Sequence, residues 1–402
     1  MSSYLSLLKT PGVARIIAAQ LTARFPSGML SLAFLIHIEH VFDSYAIAGL
    51  VLGAMCVGQA IAGPLTSRLM GRWGIRPVII ATTVICATSI VLMAVLTLPV
   101  QGLVVIGFLA GLSTPPIQPA VRTIYPKMVN SRQLTPLFSL DASAQEIIWV
   151  LGPVIATFVA IQVSTVAGVL LAATFMVGGG IWFLTLPVVG RVRIPRSKRR
   201  LGAVLKRPPV LLSTVVGFML VAACASVEAG VVAAFGHGST NSGWVLGIFA
   251  VGSLVGGLAL GHAPIGPWAL ASRMAVVTVG MTLACFGLSF WWLAGTLLLA
   301  GIGIAPALAV LFGIVSASVK FSDTAEAYGW VGTGQLIGAA LGSAIAGVMI
   351  DHYGPTAAIV AAAGFATLGA LTPTLGRRWH PDLRGRDVSP IPDTAPIRVQ
   401  PS

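Results

Sequence analysis

Side chains able to hold or exchange a charge are scarce inside the apolar runs of this 402-residue chain, and that scarcity makes the few present informative. Four ionisable residues, Arg24, Asp141, Glu146 and Glu228, interrupt long hydrophobic stretches, with Gln145 beside Glu146. A charge at the centre of a membrane-crossing helix costs about 2.5–3.5 kcal/mol on biological insertion scales, so such a residue is read as serving a partner, a proton or a ligand. Arg24 and Glu146 lie near the middles of their runs, Asp141 just inside one end of its run, and Glu228 closer to the far end of its own. Asp141 and Gln145 are four apart and share a helix face, whereas Glu146 is turned by about 100°. That stretch is therefore expected to offer one polar group to a central cavity and another to a neighbouring helix. Glu146 is the leading candidate for taking up and releasing protons, with Asp141 and Glu228 as alternatives. Arg24, at similar depth, is expected either to offset the charge of Glu146 or to act as a buried structural cation. Asp141 fits a structural pair with Arg122 as well as it fits a transport pathway.

Other chemistries find no support. Cys56, Cys86, Cys224 and Cys285 sit within apolar runs without metal-ligand spacing and read as small buried hydrophobes. His37, His40 and His352 are expected in loops on one side, His237 at the same side's end of a run, and His262 and His380 on the other side; no pair has ligand spacing, so neither a metal nor any other cofactor is expected. Walker lysine motifs, nucleophile elbows and glycine-rich nucleotide loops do not occur, which argues against ATP-driven work and acyl chemistry. Clustered His/Asp or Ser/His chemistry is likewise missing, so no enzyme is expected.

The elements that must position these residues follow from composition. Only 9% of residues are charged, mean hydropathy is +0.94, and apolar runs exceed what a soluble core needs. The net charge of +13 is segregated between apolar runs and forms no basic face with interleaved aromatics, which excludes nucleic acid as a partner. A window of about 20 residues per crossing predicts twelve transmembrane helices, near 12–38, 45–67, 77–98, 101–125, 135–161, 164–188, 210–236, 241–262, 267–290, 292–319, 326–350 and 355–375. Every Lys and Arg outside the runs belongs to a terminus or loop on one side, and the opposite loops carry only Glu39, Asp43, Asp351 and histidines. By the positive-inside rule both termini are cytoplasmic in a cell membrane, which requires an even number of spans.

A basic linker, 189–209, divides the chain. Arg191, Arg193, Arg196, Lys198, Arg199, Arg200, Lys206 and Arg207 crowd into it, and Pro195, Pro208 and Pro209 are expected to break any helix. At an offset of 190 the second half matches the first without a gap over about sixty residues: Gly111 meets Gly301, Pro116 meets Pro306, Gln145 meets Gln335 and Gly152 meets Gly342. Two six-helix bundles of common design, 1–188 and 210–375, are therefore expected, followed by a disordered cytoplasmic tail at 376–402.

Between the second and third spans the chain reads Gly63-Pro-Leu-Thr-Ser67-Arg68-Leu-Met-Gly71-Arg72. This resembles the loop motif of the major facilitator superfamily, with Gly63, Arg68, Gly71 and Arg72 matching and Ser67 replacing the usual aspartate that helps to latch the cytoplasmic gate. Gly71 is expected in a tight turn, and the latch is expected to be weaker or rearranged. Gly152-Pro153 in the fifth span partly resembles the motif of the superfamily's antiporters, although Ala144 and Ala156 replace two of its glycines. The resemblance, which extends to poorly characterised bacterial members of the drug-exporter-like type, covers residues 5–375. It implies an all-α transporter that works as a monomer in a lipid bilayer by alternating access. Proton-coupled export of small, largely apolar molecules is the leading expectation. Import of a metabolite by the same fold and a non-transporting membrane receptor are the alternatives.

Overall fold

Proline and glycine decide where the apolar runs break into separate helices. The computed structural model describes residues 2–236, 239–261 and 263–393, and those residues are almost wholly helical. A short α1 (Ser2–Lys9) precedes α2 (Val13–Arg24). Pro26 opens α3 (Pro26–Phe42), leaving α2 and α3 as one interrupted span. The Ser44 hydroxyl accepts from the Ile47 amide and starts α4 (Tyr45–Trp73), which ends at Gly74. Gly74 has φ 92°, a left-handed value that a side chain would strain, and α5 (Ile75–Val95) follows at once. Pro115 and Pro116 separate α6 (Val100–Leu112) from α7 (Ile117–Ile124), and α8 (Ser131–Gln162) and α9 (Thr165–Thr185) complete the first bundle.

The linker contains α10 (Pro187–Arg191) and a 3-10 turn at Ala203–Lys206. Pro208 and Pro209, expected to break a helix, instead begin α11 (Pro208–Phe235), where a missing backbone donor does no harm. The second bundle continues with α12 (Thr240–Leu260), α13 (Ala269–Ala284), α14 (Phe290–Ser318), α15 (Phe321–Tyr353) and α16 (Pro355–Leu375). Eleven spans among the described residues are long and apolar enough to cross a membrane, counting α2–α3 and α6–α7 as one each; α13, at 16 residues, is shorter. The expected span at 267–290 thus stops early, because the chain leaves the helix around Cys285 and Phe286 before α14 begins.

The repeat is visible in backbone contacts. A Cβ on Gly111 of α6 would strike the carbonyl of Met55 in α4, and one on Gly301 of α14 would strike that of Phe249 in α12. Likewise Gly152 of α8 crosses Gly28 of α3, as Gly342 of α15 crosses Ala222 of α11. In lipid there is no hydrophobic drive between helices, so such close small-residue crossings supply the attraction. The partners in the earlier helices are displaced by four residues more than the offset of 190, a shift that repetitive Ala/Gly composition conceals.

The tail differs from expectation over its described part. Residues 376–393 are not free: Leu383 donates to the Ile265 carbonyl (2.9 Å), Ile391 to Val319 (2.9 Å), and Phe321 to Ile391 (3.0 Å). Leu383, Val388 and His380 are buried, and the Asp393 carboxylate accepts from the Ser322 amide (3.1 Å) and hydroxyl (2.6 Å) at the start of α15. A few isolated apolar side chains and one helix-capping acid hold the segment where composition alone reads as disorder. Residues 394–402 lie outside the described residues.

Candidate functional site

The ionisable residues sort into three groups by helix rotation and by depth from the basic face, the side that carries Arg72, the linker and Arg377. The first group lies within the first bundle. Asp141 on α8 is fully buried. It receives Arg122 Nε on α7 (3.0 Å), Gln20 Nε2 on α2 (3.0 Å) and the Tyr125 hydroxyl (3.1 Å), with Arg24 Nη1 at 3.8 Å. Arg24 also donates to Gln20 (2.8 Å) and to Gln145 (2.5 Å). Two cations thus surround one carboxylate, and every Asp141 oxygen is satisfied, the condition for keeping a charge at this depth. The expectation that Arg24 offsets Glu146 is corrected by this geometry: Arg24 faces Asp141 and Gln145, because Gln145 and Glu146 point about 100° apart. The network also reaches the second bundle, since the Arg122 guanidinium stacks 3.4 Å from the Phe312 ring centroid on α14.

The second group lies between the bundles. Glu146 Oε1 accepts from the Ser253 hydroxyl on α12 at 2.8 Å. Nearer the basic face, the Gly257 carbonyl accepts from the hydroxyls of Ser139 (2.6 Å) and Tyr4 (3.0 Å). Across the molecule Thr333 on α15 donates to the Ala60 carbonyl of α4 (2.8 Å). Among the described residues, every hydrogen bond between the bundles lies at these two tiers or closer to the basic face. The polar contacts that close the interface are therefore confined to its half nearer the basic face. Glu228 on α11 is exposed, one turn from Cys224 and within electrostatic reach of Glu146.

The third group is the closure itself. Gly63 and Gly329 bring α4 and α15 backbone to backbone: a Cβ on Gly329 would lie 2.5 Å from the Gly63 carbonyl oxygen. One turn beyond, Arg68 pairs with buried Glu326 at 3.0 Å, and the other Glu326 oxygen accepts from the Gly202 amide (2.7 Å). Asp323 accepts from the Ser197 hydroxyl (2.6 Å) and faces Arg199 at 3.7 Å. Arg68 also donates to the Arg199 carbonyl. Ser67 is buried and returns its hydroxyl to the Gly63 carbonyl, and the carboxylates at this closure are Asp323 and Glu326 of α15. Gly71 is helical rather than in a tight turn; its small size matters because the Pro195 carbonyl of the linker would lie 3.2 Å from a Cβ there. The turn belongs to Gly74. Arg72 is exposed, and Pro153 is an internal proline of α8 beyond the Gly28–Gly152 crossing.

Asp323, Glu326, Ser253, Gln20 and Tyr125 were not singled out from the sequence. The two acids had a readable signal, an i, i+3 pair opening an apolar run on the otherwise basic side. His37 is not in a loop but buried in α3, with Nδ1 3.0 Å from the Thr165 hydroxyl. His237 and His262 lie outside the described residues. No cluster of three or more His, Cys, Asp or Glu able to hold a metal occurs among the described residues.

A family model described as Major Facilitator Superfamily matches residues 16–288 and 226–398. Among solved structures, the human organic anion transporter MFSD10 (TETRAN) is similar at a TM-score of 0.69 and 16% identity, over 90% of this chain and 100% of that one. A bacterial homologue of the iron transporter ferroportin in an outward-facing state is similar at 0.73 and 13% identity, over 91% and 98%. These identities establish likeness of fold. No curated protein matches in sequence.

Proposed function

This chain belongs to the major facilitator superfamily, and from that membership we propose that it is a proton-coupled exporter of small, largely apolar molecules in which Glu146 couples the two fluxes. The superfamily consists of secondary transporters rather than enzymes, with small-molecule substrates moved across a lipid bilayer. The single observation that carries the coupling role is the Glu146–Ser253 hydrogen bond, which joins α8 of one bundle to α12 of the other at the inner limit of the closed interface. Alternating access requires α8 and α12 to part there. An ionised Glu146 then loses its donor at membrane depth, whereas a protonated one does so at far smaller cost. On this reading the bundles part on the side away from the basic face, so proton uptake at Glu146 from that opening would favour the rearrangement, and release on the basic side would reset it. The hydrogen bonds of Asp141 stay within the first bundle, the network touches the second only through the Arg122–Phe312 stacking, and Asp141 needs no change of protonation for this step.

With the basic face taken as cytoplasmic in the cell membrane, that opening faces outward, where a proton is taken up and a substrate released. The direction of export is drawn from the partial Gly152-Pro153 motif. Glu228, exposed on α11, is the second candidate for proton coupling. The test is transport in proteoliposomes against a compound panel, with a pH-sensitive dye in the lumen. Glu146→Gln should retain substrate binding and exchange but lose uphill transport driven by a pH gradient. Uphill transport at the wild-type rate with an unaltered pH profile would remove Glu146 from this role and make Glu228→Gln the next variant.

A further inference from the structure

Where α4 meets the linker on the basic face, a pocket of about 810 Å³ sets Arg68 and Arg72 of α4 opposite Arg196, Lys198 and Arg199 of the linker. Five of its side chains are cations. Arg68 and Arg199 are matched by Glu326 and Asp323, which are buried behind the pocket wall. Arg72, Arg196 and Lys198 face no carboxylate within ion-pair distance among the described residues, leaving a surplus of three positive charges around one cavity. The transport cycle as read above uses none of the three. Beside them the wall is apolar: Leu65, Leu69 and Leu201 line it, and α4 continues the apolar surface away from the pocket. Ile61, Leu65, Leu69 and Trp73, four apart, form a stripe on that helix, with Ile61, Leu65 and Trp73 exposed. An exposed tryptophan at the end of a membrane-length helix marks the headgroup level.

We propose that this pocket binds the phosphate-bearing headgroup of an anionic phospholipid, with Arg72, Arg196 and Lys198 on the phosphate and acyl chains along the α4 stripe. Guanidinium forks match phosphate oxygens, and a surplus of cations disfavours headgroups that carry their own positive charge. The apolar stripe points to a lipid rather than a free anion, which has nothing to lay against Ile61 and Leu65. The pocket walls come from both sides of the closure: α4 supplies one, and the other is linker held to α15 through Ser197–Asp323 and Gly202–Glu326.

Binding to the full-length protein in a neutral detergent would be measured for dioctanoyl phosphatidylglycerol, dioctanoyl phosphatidylcholine and inorganic phosphate. The wild type should prefer phosphatidylglycerol to phosphatidylcholine by at least about tenfold. The triple variant Arg72→Gln/Arg196→Gln/Lys198→Gln should lose that preference, while Arg378→Gln/Arg386→Gln, at exposed tail cations, should keep it. The single variants Arg196→Gln and Lys198→Gln, on linker side chains without hydrogen bonds among the described residues, should each lose part of it and guard against misfolding of the triple. A preference that survives the triple and both single substitutions overturns the proposal, as does its absence from the wild type. Inorganic phosphate that competes as well as the lipid does would make this a free-anion site and overturn the lipid assignment.

Discussion

Replacing Gly329 with alanine tests whether the contact of α4 with α15 is the closure of the basic face. The added Cβ would lie 2.5 Å from the Gly63 carbonyl oxygen, 2.8 Å from its carbon and 2.9 Å from Pro64 Cα. All three are backbone atoms and cannot swing aside, so α4 and α15 must separate locally. Overpacking of this kind costs about 1–3 kcal/mol. The penalty falls only on the state in which the helices touch, so the equilibrium between closed and open basic faces should shift by about 5- to 150-fold towards open. Gly332, one turn on in the same helix, has nothing within 4 Å of a Cβ and serves as the matched control. Spin labels at Arg132 and Ser272, exposed residues near the basic ends of α8 and α13, would report the distance between bundles after replacement of the four free cysteines. Gly329→Ala should add a longer-distance population that Gly332→Ala does not. Identical distance distributions and transport rates for the two variants would refute the reasoning.

Asp141→Asn leaves Arg122, buried to 1% exposure, and Arg24 without a counter-charge, so stability should fall by about 3–5 kcal/mol and thermal unfolding in detergent should show it; a melting temperature within a degree or so of wild type would mean that Phe312 and Gln145 suffice for the arginines. The docked tail should loosen on acidification. Burial lowers the pKa of His380 from its ordinary 6.5, Arg273 adds to that, and the Pro381 carbonyl and Asp382 oppose it. Nδ1 lies 2.9 Å from the Pro381 carbonyl while Nε2 has no partner, so a proton there would be a buried donor without an acceptor. The released tail takes up that proton below about pH 6.5 more readily than the docked one, so docking is strongest above that pH and weakens as pH falls through it. Amide exchange at Leu383 and Ile391, corrected for intrinsic rates, should rise between pH 7.5 and 5.5 in the wild type and stay flat in His380→Phe; equal pH responses would exclude His380 as the cause.

Much of this architecture could be read along one dimension, because a bilayer imposes one-dimensional rules. Apolar length counts the spans, the short α13 included, although that helix ends at Ala284, before its apolar run does. Gly63, Arg68, Gly71 and Arg72 marked the end of α4, where Gly63 and Arg68 meet α15, and the register of 190 marked glycines whose crossings recur in both halves. Charges inside the spans named Arg24, Asp141, Glu146 and Glu228 before any helix was packed. Which charge meets which was decided by rotation about each helix axis and by crossing geometry. A single residue step, about 100°, sends Gln145 to Arg24 and Glu146 to Ser253. The Gly63–Gly329 crossing is what brings Arg68 to Glu326, a partner 258 residues away. Gly71 could be marked as a motif glycine, but not as the seat of the Pro195 carbonyl, since the linker's path depends on anchors at Asp323 and Glu326. The docking of the tail is illegible for the same reason: Leu383 and Val388 lack periodicity of their own, and only the surface left by the α12–α13 connection and α14 gives each a place.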